Sequence, residues 1–409
     1  MERLPNKVDN SLRNLQPFCA GQSFWVIIWF LIVGFVLADA LYLRIGYLDL
    51  IEFKRDEFEA IKLSYQNLHV RPALVGLMSS RGLYNPPFFI YLISIPVSVS
   101  TDPQFVTSFV IFINVLALWL LYLLVRKVFS VRFAWVVCLL IATSPWAIIF
   151  SRKIWAQDFL LPFLIVFYLS LVSHLNRPAS GKIWLMAGLF AVITQLHMSA
   201  WFLFVPLIIF IVMMKVSVSY RDIFIGGMIF ALLYLPYIVF HITTDFQNLQ
   251  AFLSVDRPAI WSHTNVNAMI GNIKWTYNIT SGIGLRYLFG GEYEQFVQSH
   301  NIIWTYIFSS TMLVVAILGI LWALSLLARG FGSQVSFQGM ELSEKVLVLF
   351  ALIIVFIHFG YFVMRVPSFP HYSIVTHPIL VVFAAKYGLQ LYDQISSATF
   401  KNVCVRCFY

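Results

Sequence analysis

Apolar runs of about twenty residues recur along this chain, and no other feature constrains its fold as strongly. A helix needs about 20 mostly apolar residues to cross the hydrocarbon core of a bilayer. Runs of that kind lie near 23–46, 104–125, 133–150, 159–175, 183–199, 201–215, 222–242, 302–327, 346–364 and 373–392. With 60% hydrophobic and 11% charged residues and a mean hydropathy of +0.83, the chain reads as an all-α, polytopic membrane bundle of about ten spans. The stretch Phe24 to Leu37 followed by Ala38-Asp39-Ala40 has some character of a signal peptide. The polar stretch before it is long, however, and apolar character resumes at Leu41, Tyr42 and Leu43, which favours a retained first helix.

The segment 86–100 is also apolar, but it is short and carries Pro86, Pro87 and Pro96. Unsatisfied backbone is costly in lipid, so this piece is expected to be interfacial or re-entrant rather than a crossing. The positive-inside rule supports that choice. With an inside N-terminus, the inner segments carry Arg3, Lys7 and Arg13, then Arg126, Lys127 and Arg132, then Arg177 and Lys182. They continue with Lys215 and Arg221, then Arg329 and Lys345, and end with Lys401 and Arg406. Counting 86–100 as a crossing would place the 126–132 turn outside. The chain is therefore read as one unit. Residues 1–242 form a catalytic-type module with a first outer loop at 47–103, 243–301 a second outer loop, and 302–409 the C-terminal membrane helices. Both termini are expected in the cytoplasm, most naturally at a bacterial inner membrane.

The net charge of +9 is scattered over short loops, which fits topology better than a nucleic-acid surface. Four cysteines imply no disulfide framework, and Cys404-Val-Arg-Cys407 is a lone C-x-x-C without a second pair. His241, His263 and His300 lack metal-ligand spacing, so no zinc site is expected. No cofactor is required by this reading; a divalent metal is compatible with it, although no ligand set is visible.

The clustered polar chemistry falls on the outer side. In Arg55-Asp56-Glu57-Phe58-Glu59-Ala60, apolar Phe53, Phe58, Ile61 and Leu68 alternate with charges, a pattern suited to a short surface helix. A solvated interfacial face explains Glu59 and Lys62; alternatively one carboxylate serves as a general base, with Arg55 favouring an ionised Asp56. The turn Ser151-Arg152-Lys153-Ile154-Trp155-Ala156-Gln157-Asp158 places cations against the inside bias. They either snorkel to headgroups or grip a phosphate. His197, in Gln195-Leu196-His197, and the pair His371-Tyr372 after Arg365 read first as structural, with a chemical role as the alternative. The 243–301 loop offers Trp261, His263, Asn265, Asn267, Asn272, Trp275, Tyr277, Tyr287 and Tyr293, and a sequon at Asn278-Ile279-Thr280. Aromatics and amides of this kind suit either a membrane interface or sugar recognition.

Taken in order, these features resemble the GT-C membrane glycosyltransferases, closest to the protein O-mannosyltransferase and lipid A aminoarabinose transferase group. The resemblance rests on Asp56-Glu57, the run Pro86 to Leu92, the basic turn Arg126 to Arg132, and Ser144-Pro145 with Ser151-Arg152 and Asp158. Gln195-Leu196-His197 and the late Arg365/His371-Tyr372 complete it, over about 330 residues. It implies a polyprenyl-phosphate sugar donor and a lipid, glycan or protein acceptor at the outer face, with inverting transfer of a single sugar. By resemblance, Asp56 is the base and Glu57 assists it. Arg152 and Arg365 would meet the lipid phosphate, Asp158 would line the same cavity, and His371 and Tyr372 would flank sugar or phosphate. His197, Tyr84 and Lys153 are further candidates. A transporter or flippase for lipid-linked sugars, with Asp39 and His358 as mid-membrane groups, is the alternative, as is a polymerase or ligase.

Overall fold

The computed structural model describes residues 20–51, 53–79, 82–253, 265–281, 295–296, 299, 303–331, 337–365 and 369–407. Among the described residues the elements are helices, and the extended pairing is a single bridge between Met78 and Tyr84. Helix α1 (Ala20–Ile45) leads to the segment 47–103, which holds α2 (Arg55–His69) and α3 (Phe88–Val97). At about 1.5 Å per residue, α3 spans roughly 15 Å, half of a hydrocarbon core. It packs on α2 as a juxtamembrane pair, as the proline content of 86–100 predicts.

Helix α4 (Pro103–Val128) starts where the Asp102 side chain accepts from the Gln104 N–H and Pro103 fills the first turn. It ends on Arg126 and Lys127, cations that suit both a helix C-terminus and an inner interface. The third apolar run is not one helix. It divides into α5 (Val131–Ala142) and α6 (Pro145–Phe150), because Pro145 cannot continue α5 and Ser144 caps α6 through the Ala147 N–H. Helices α7 (Leu160–Asn176), α8 (Ser180–Leu196), α9 (Phe204–Met213) and α10 (Tyr220–Thr243) follow. After α11 (Gln247–Leu253) and α12 (Asn265–Ser281) come α13 (Ile303–Phe331), α14 (Leu342–Met364) and α15 (His377–Cys407). Among the described residues, four helical segments are long and apolar enough to cross a membrane on length and composition: Pro103–Val128, Ala156–Asn176, Tyr220–Thr243 and Leu342–Met364.

The core runs through α4, α5, α7, α14 and α15, where Val110, Leu118, Ile141, Leu164, Ile353 and Phe383 are buried. Helix α14 is central, with 67% of its most apolar window buried, whereas α10 buries only 11% and turns most of its apolar surface outward, as a lipid-facing helix does. Gly360 marks a close approach to α14. A Cβ built there would lie 2.4 Å from the Phe202 ring, which packs edge-on against Tyr361 at 5.6 Å. Gly360→Ala is therefore expected to destabilise the protein by about 1–3 kcal/mol through overpacking, read as a lower thermal midpoint in detergent.

Helix α12 departs from a plain outer loop at 243–301. It packs against α13, α14, α15 and the turn Pro370–Ser373, with Asn272, Thr276 and Asn278 buried. Thr276 Oγ1 lies 3.1 Å from His358 Nε2 and 3.2 Å from Ser373 Oγ. The sequon asparagine thus sits inside a packed helix. Trp261, His263, Tyr287, Tyr293 and His300 lie outside the described residues.

Candidate functional site

The site is built at one end of the helices, beginning with α2. Its buried stripe is Glu57, Ala60, Ile61 and Ser64, the i, i+3, i+4, i+7 spacing of one helical face. The polar end of that stripe docks on α3: Ser64 Oγ donates to Ile90 O at 3.2 Å, and Asn67 Nδ2 to Ser94 Oγ at 3.0 Å. Of the four apolar residues in the sequence pattern, only Ile61 turns inward, while Phe53, Phe58 and Leu68 are exposed. Their exposure suits an interfacial helix whose aromatic face meets headgroups.

The acidic doublet is split by the helix. Asp56 is exposed in the first turn, and Glu57 is 1% exposed. Glu57 Oε2 accepts from the Lys54 N–H at 3.0 Å, fixing the start of α2, while Oε1 has no hydrogen-bond partner. Burial pushes the Glu57 carboxyl above the usual carboxylate range, and backbone N–H donors offset part of that.

The turn 151–158 sends its two cations in different directions. Arg152 Nη2 donates to Gly46 O at 2.7 Å and Tyr47 O at 2.8 Å, just past the end of α1. Lys153 points inward, 6% exposed, with Nζ 4.3 Å from the Trp155 ring centre. Burial lowers the Lys153 pKa and the neighbouring Asp158 charge opposes the shift. Asp158 is buried, its carboxylate oxygens have no hydrogen-bond partner, and both Lys153 and Glu57 lie within electrostatic reach of it. Its backbone carbonyl is pinned by Asn114 Nδ2 at 3.0 Å.

A ring cluster closes the other side. His371 lies 6.0 Å from Trp155, 5.8 Å from His197 and 4.5 Å from Tyr372, between ring centres. Tyr361 OH donates to the Tyr372 carbonyl at 2.8 Å. Burial drives the His371 pKa down to about 3, with the charges of His197 and Lys153 adding to the effect. A histidine held neutral in this way stabilises the fold fully above its unfolded pKa of about 6.5 and loses that contribution as pH falls toward 3. Acid titration from pH 7 to 4 should therefore destabilise wild type by up to about 1.4 kcal/mol per pH unit more than His371→Gln, measured by thermal unfolding at each pH.

Six of the residues singled out in the sequence are thus gathered: Glu57, Lys153, Asp158, His197, His371 and Tyr372, with Asp56 at the rim. Two are placed elsewhere. Tyr84 is tied to α10 and α11, where Asn248 Oδ1 accepts from its N–H at 3.1 Å and Tyr237 OH donates to its carbonyl at 2.8 Å. Arg365 is exposed at the C-cap of α14 in a left-handed conformation, φ 50°. Behind Asp158 lies a cavity of about 40 Å³ whose lining includes Arg44, Asn114 and His377, large enough for a few waters. Arg44 and His377 escape a reading of the sequence because both lie within or beside apolar runs, where a lone ionisable group passes for an interfacial anchor. Among the described residues, no three His, Cys, Asp or Glu side chains converge as metal ligands would.

No protein-family model matches the chain, and no curated protein matches its sequence. Its fold, however, is shared with solved membrane proteins. ArnT from Cupriavidus metallidurans bound to undecaprenyl phosphate superposes with a TM-score of 0.54 and 12% identity over 89% of this chain. The Archaeoglobus fulgidus oligosaccharyltransferase in the apo form gives 0.51 and 13% over 93% of this chain. The chain spans 60% of the first protein's length and 52% of the second's.

Proposed function

We propose that this chain, an integral membrane protein with the GT-C glycosyltransferase fold, moves a single sugar from a polyprenyl-phosphate donor to an acceptor hydroxyl. The observation that carries this reading is the convergence of Glu57, Lys153, Asp158 and His371 at the outer helix ends, with Asp56 exposed at the rim. The two structural neighbours lend the reaction class: one is bound to undecaprenyl phosphate and the other is an oligosaccharyltransferase. The basic inner segments orient the site outward, with both termini in the cytoplasm.

In this mechanism the Asp56 carboxylate takes the acceptor proton as the hydroxyl oxygen attacks the anomeric carbon from the face opposite the phosphate. The carbon–oxygen bond to phosphate breaks, and the polyprenyl phosphate leaves with one more negative charge. Lys153 is the cation placed to meet that charge, because charge that develops in a buried site is stabilised most by groups already fixed there. Glu57 orients the start of α2 and adds negative field beside Asp158. The acceptor is a lipid, glycan or protein.

The mid-membrane groups that a flippase would use are otherwise engaged. His358 is hydrogen-bonded through both ring nitrogens, to Thr276 and to Ile354 O, and Asp39 lies within electrostatic reach of Arg44. The test is purified protein in liposomes with radiolabelled polyprenyl-phosphate sugars. Transfer appears as label leaving the lipid phosphate for an acceptor, whereas label that crosses the bilayer with its phosphate bond intact overturns the reading.

A further inference from the structure

Arg152 sits one residue from the inward-facing Lys153, yet its guanidinium turns the other way and bridges to a part of the chain more than a hundred positions earlier. A guanidinium grips phosphate through two parallel N–H groups, and each such fork uses Nη2 together with Nε or Nη1. In this structure Nη2 donates to Gly46 O at 2.7 Å and to Tyr47 O at 2.8 Å. Nη2 is thus engaged by two carbonyls, and a ligand taking either fork would have to compete with them.

What Arg152 holds is a strained turn. Tyr47 has φ 55° and ψ 48°, the left-handed region, which is disfavoured for a residue with a Cβ. Such a conformation persists only where its surroundings impose it. Gly46 N closes α1 by donating to Tyr42 O at 2.9 Å, and the two carbonyls that follow are the ones Arg152 clasps. From Tyr47 the chain passes through the short 3-10 turn Leu48–Leu50 to the first residue of α2, Arg55. The turn at Tyr47 is thus one constraint on where Asp56 and Glu57 stand, beside the docking of α2 on α3. At its other end Arg152 belongs to the same turn as Lys153 and Asp158, its own N–H donating to Ile149 O at 3.0 Å.

We infer that Arg152 is a positioning residue that fixes the α1–α2 turn, and with it the Asp56-Glu57 pair, against the Lys153-Asp158 segment. The inference rests on the glycosyltransferase reading above. A guanidinium holding two carbonyls resists both stretching and twisting, and a 1 Å error in the placement of a reacting group costs about a hundredfold in rate.

The test compares full-length wild type with Arg152→Gln and Arg152→Lys, measuring transfer kinetics and hydrogen–deuterium exchange. Arg152→Gln should lower kcat about a hundredfold with the donor KM held within about threefold. Deuterium uptake should rise in residues 46–69 and stay at the wild-type level elsewhere. Arg152→Lys, whose ammonium still reaches a carbonyl, should recover about tenfold of the lost rate. A donor KM raised about tenfold or more with kcat retained would place Arg152 on the phosphate and overturn the inference. So would an unchanged rate, or uptake that rises throughout the protein. If wild type transfers no sugar at all, the functional reading fails instead, and the exchange of residues 46–69 still reports on the clasp.

Discussion

Asparagine in place of Asp56 should lower sugar transfer by about a hundredfold to ten-thousandfold, the range a positioned base contributes, with yield and donor binding unchanged. The substitution keeps the shape of the side chain and removes its capacity to accept a proton. Asp56 is exposed in the first turn of α2, so nothing in the packing depends on its charge. Glu57→Gln is the informative partner. Glu57 is buried and accepts the Lys54 N–H, a bond that a glutamine carbonyl preserves, so its loss of rate should stay within about tenfold. Initial-rate assays on both variants decide the matter. An Asp56→Asn enzyme that turns over like wild type, beside an inactive Glu57→Gln, would move the base one residue inward.

The second large effect is expected at Lys153. Lys153→Ala should reduce kcat by about a hundredfold to a thousandfold, the loss seen when one fixed group that stabilises developing charge is removed. It should also lower the thermal midpoint, because the buried Asp158 loses the nearby cation that favours its charged form. The two consequences separate in the double variant Lys153→Ala/Asp158→Asn. Removing the stranded charge should restore the thermal midpoint but not the rate. If the rate returns as well, Lys153 serves only as a counter-ion to Asp158 and the leaving phosphate is met elsewhere.

Much of the architecture can be read from the residues alone, because apolar runs are the direct signature of spanning helices. Even the break in the third run is visible as Ser144-Pro145, a cap and a helix stop in sequence. The interior of the site is harder to read. The alternation around Asp56 points to Phe53, Phe58 and Leu68 as the anchoring face, yet at a headgroup interface apolar side chains have somewhere to go besides the core. The face that docks is the small and polar one, because α2 leans on the backbone and Ser94 of α3. The division of labour between Arg152 and Lys153 is equally hidden. Adjacent residues in a tight turn diverge, but sequence does not say which one turns inward. Helix α12 is the largest surprise: its buried surface mixes Ala268 and Ile279 with Asn272, Thr276 and Asn278, and Thr276 finds partners on α14 and the 370–373 turn. No apolar periodicity announces a helix that docks through hydrogen bonds.

Arg44 has a consequence for how the protein is made. Its guanidinium, 2% exposed, donates to Ala40 O at 3.0 Å and to Ala142 O at 2.9 Å, where α5 breaks off. The first helix thus carries a charge whose long-range partner is synthesised nearly a hundred residues later. Until the third hydrophobic segment leaves the ribosome, that helix has a reason to linger at the insertion machinery rather than diffuse into lipid. Nascent-chain crosslinking should find it released only after residue 142 has emerged, and released early when Arg44 is replaced by leucine.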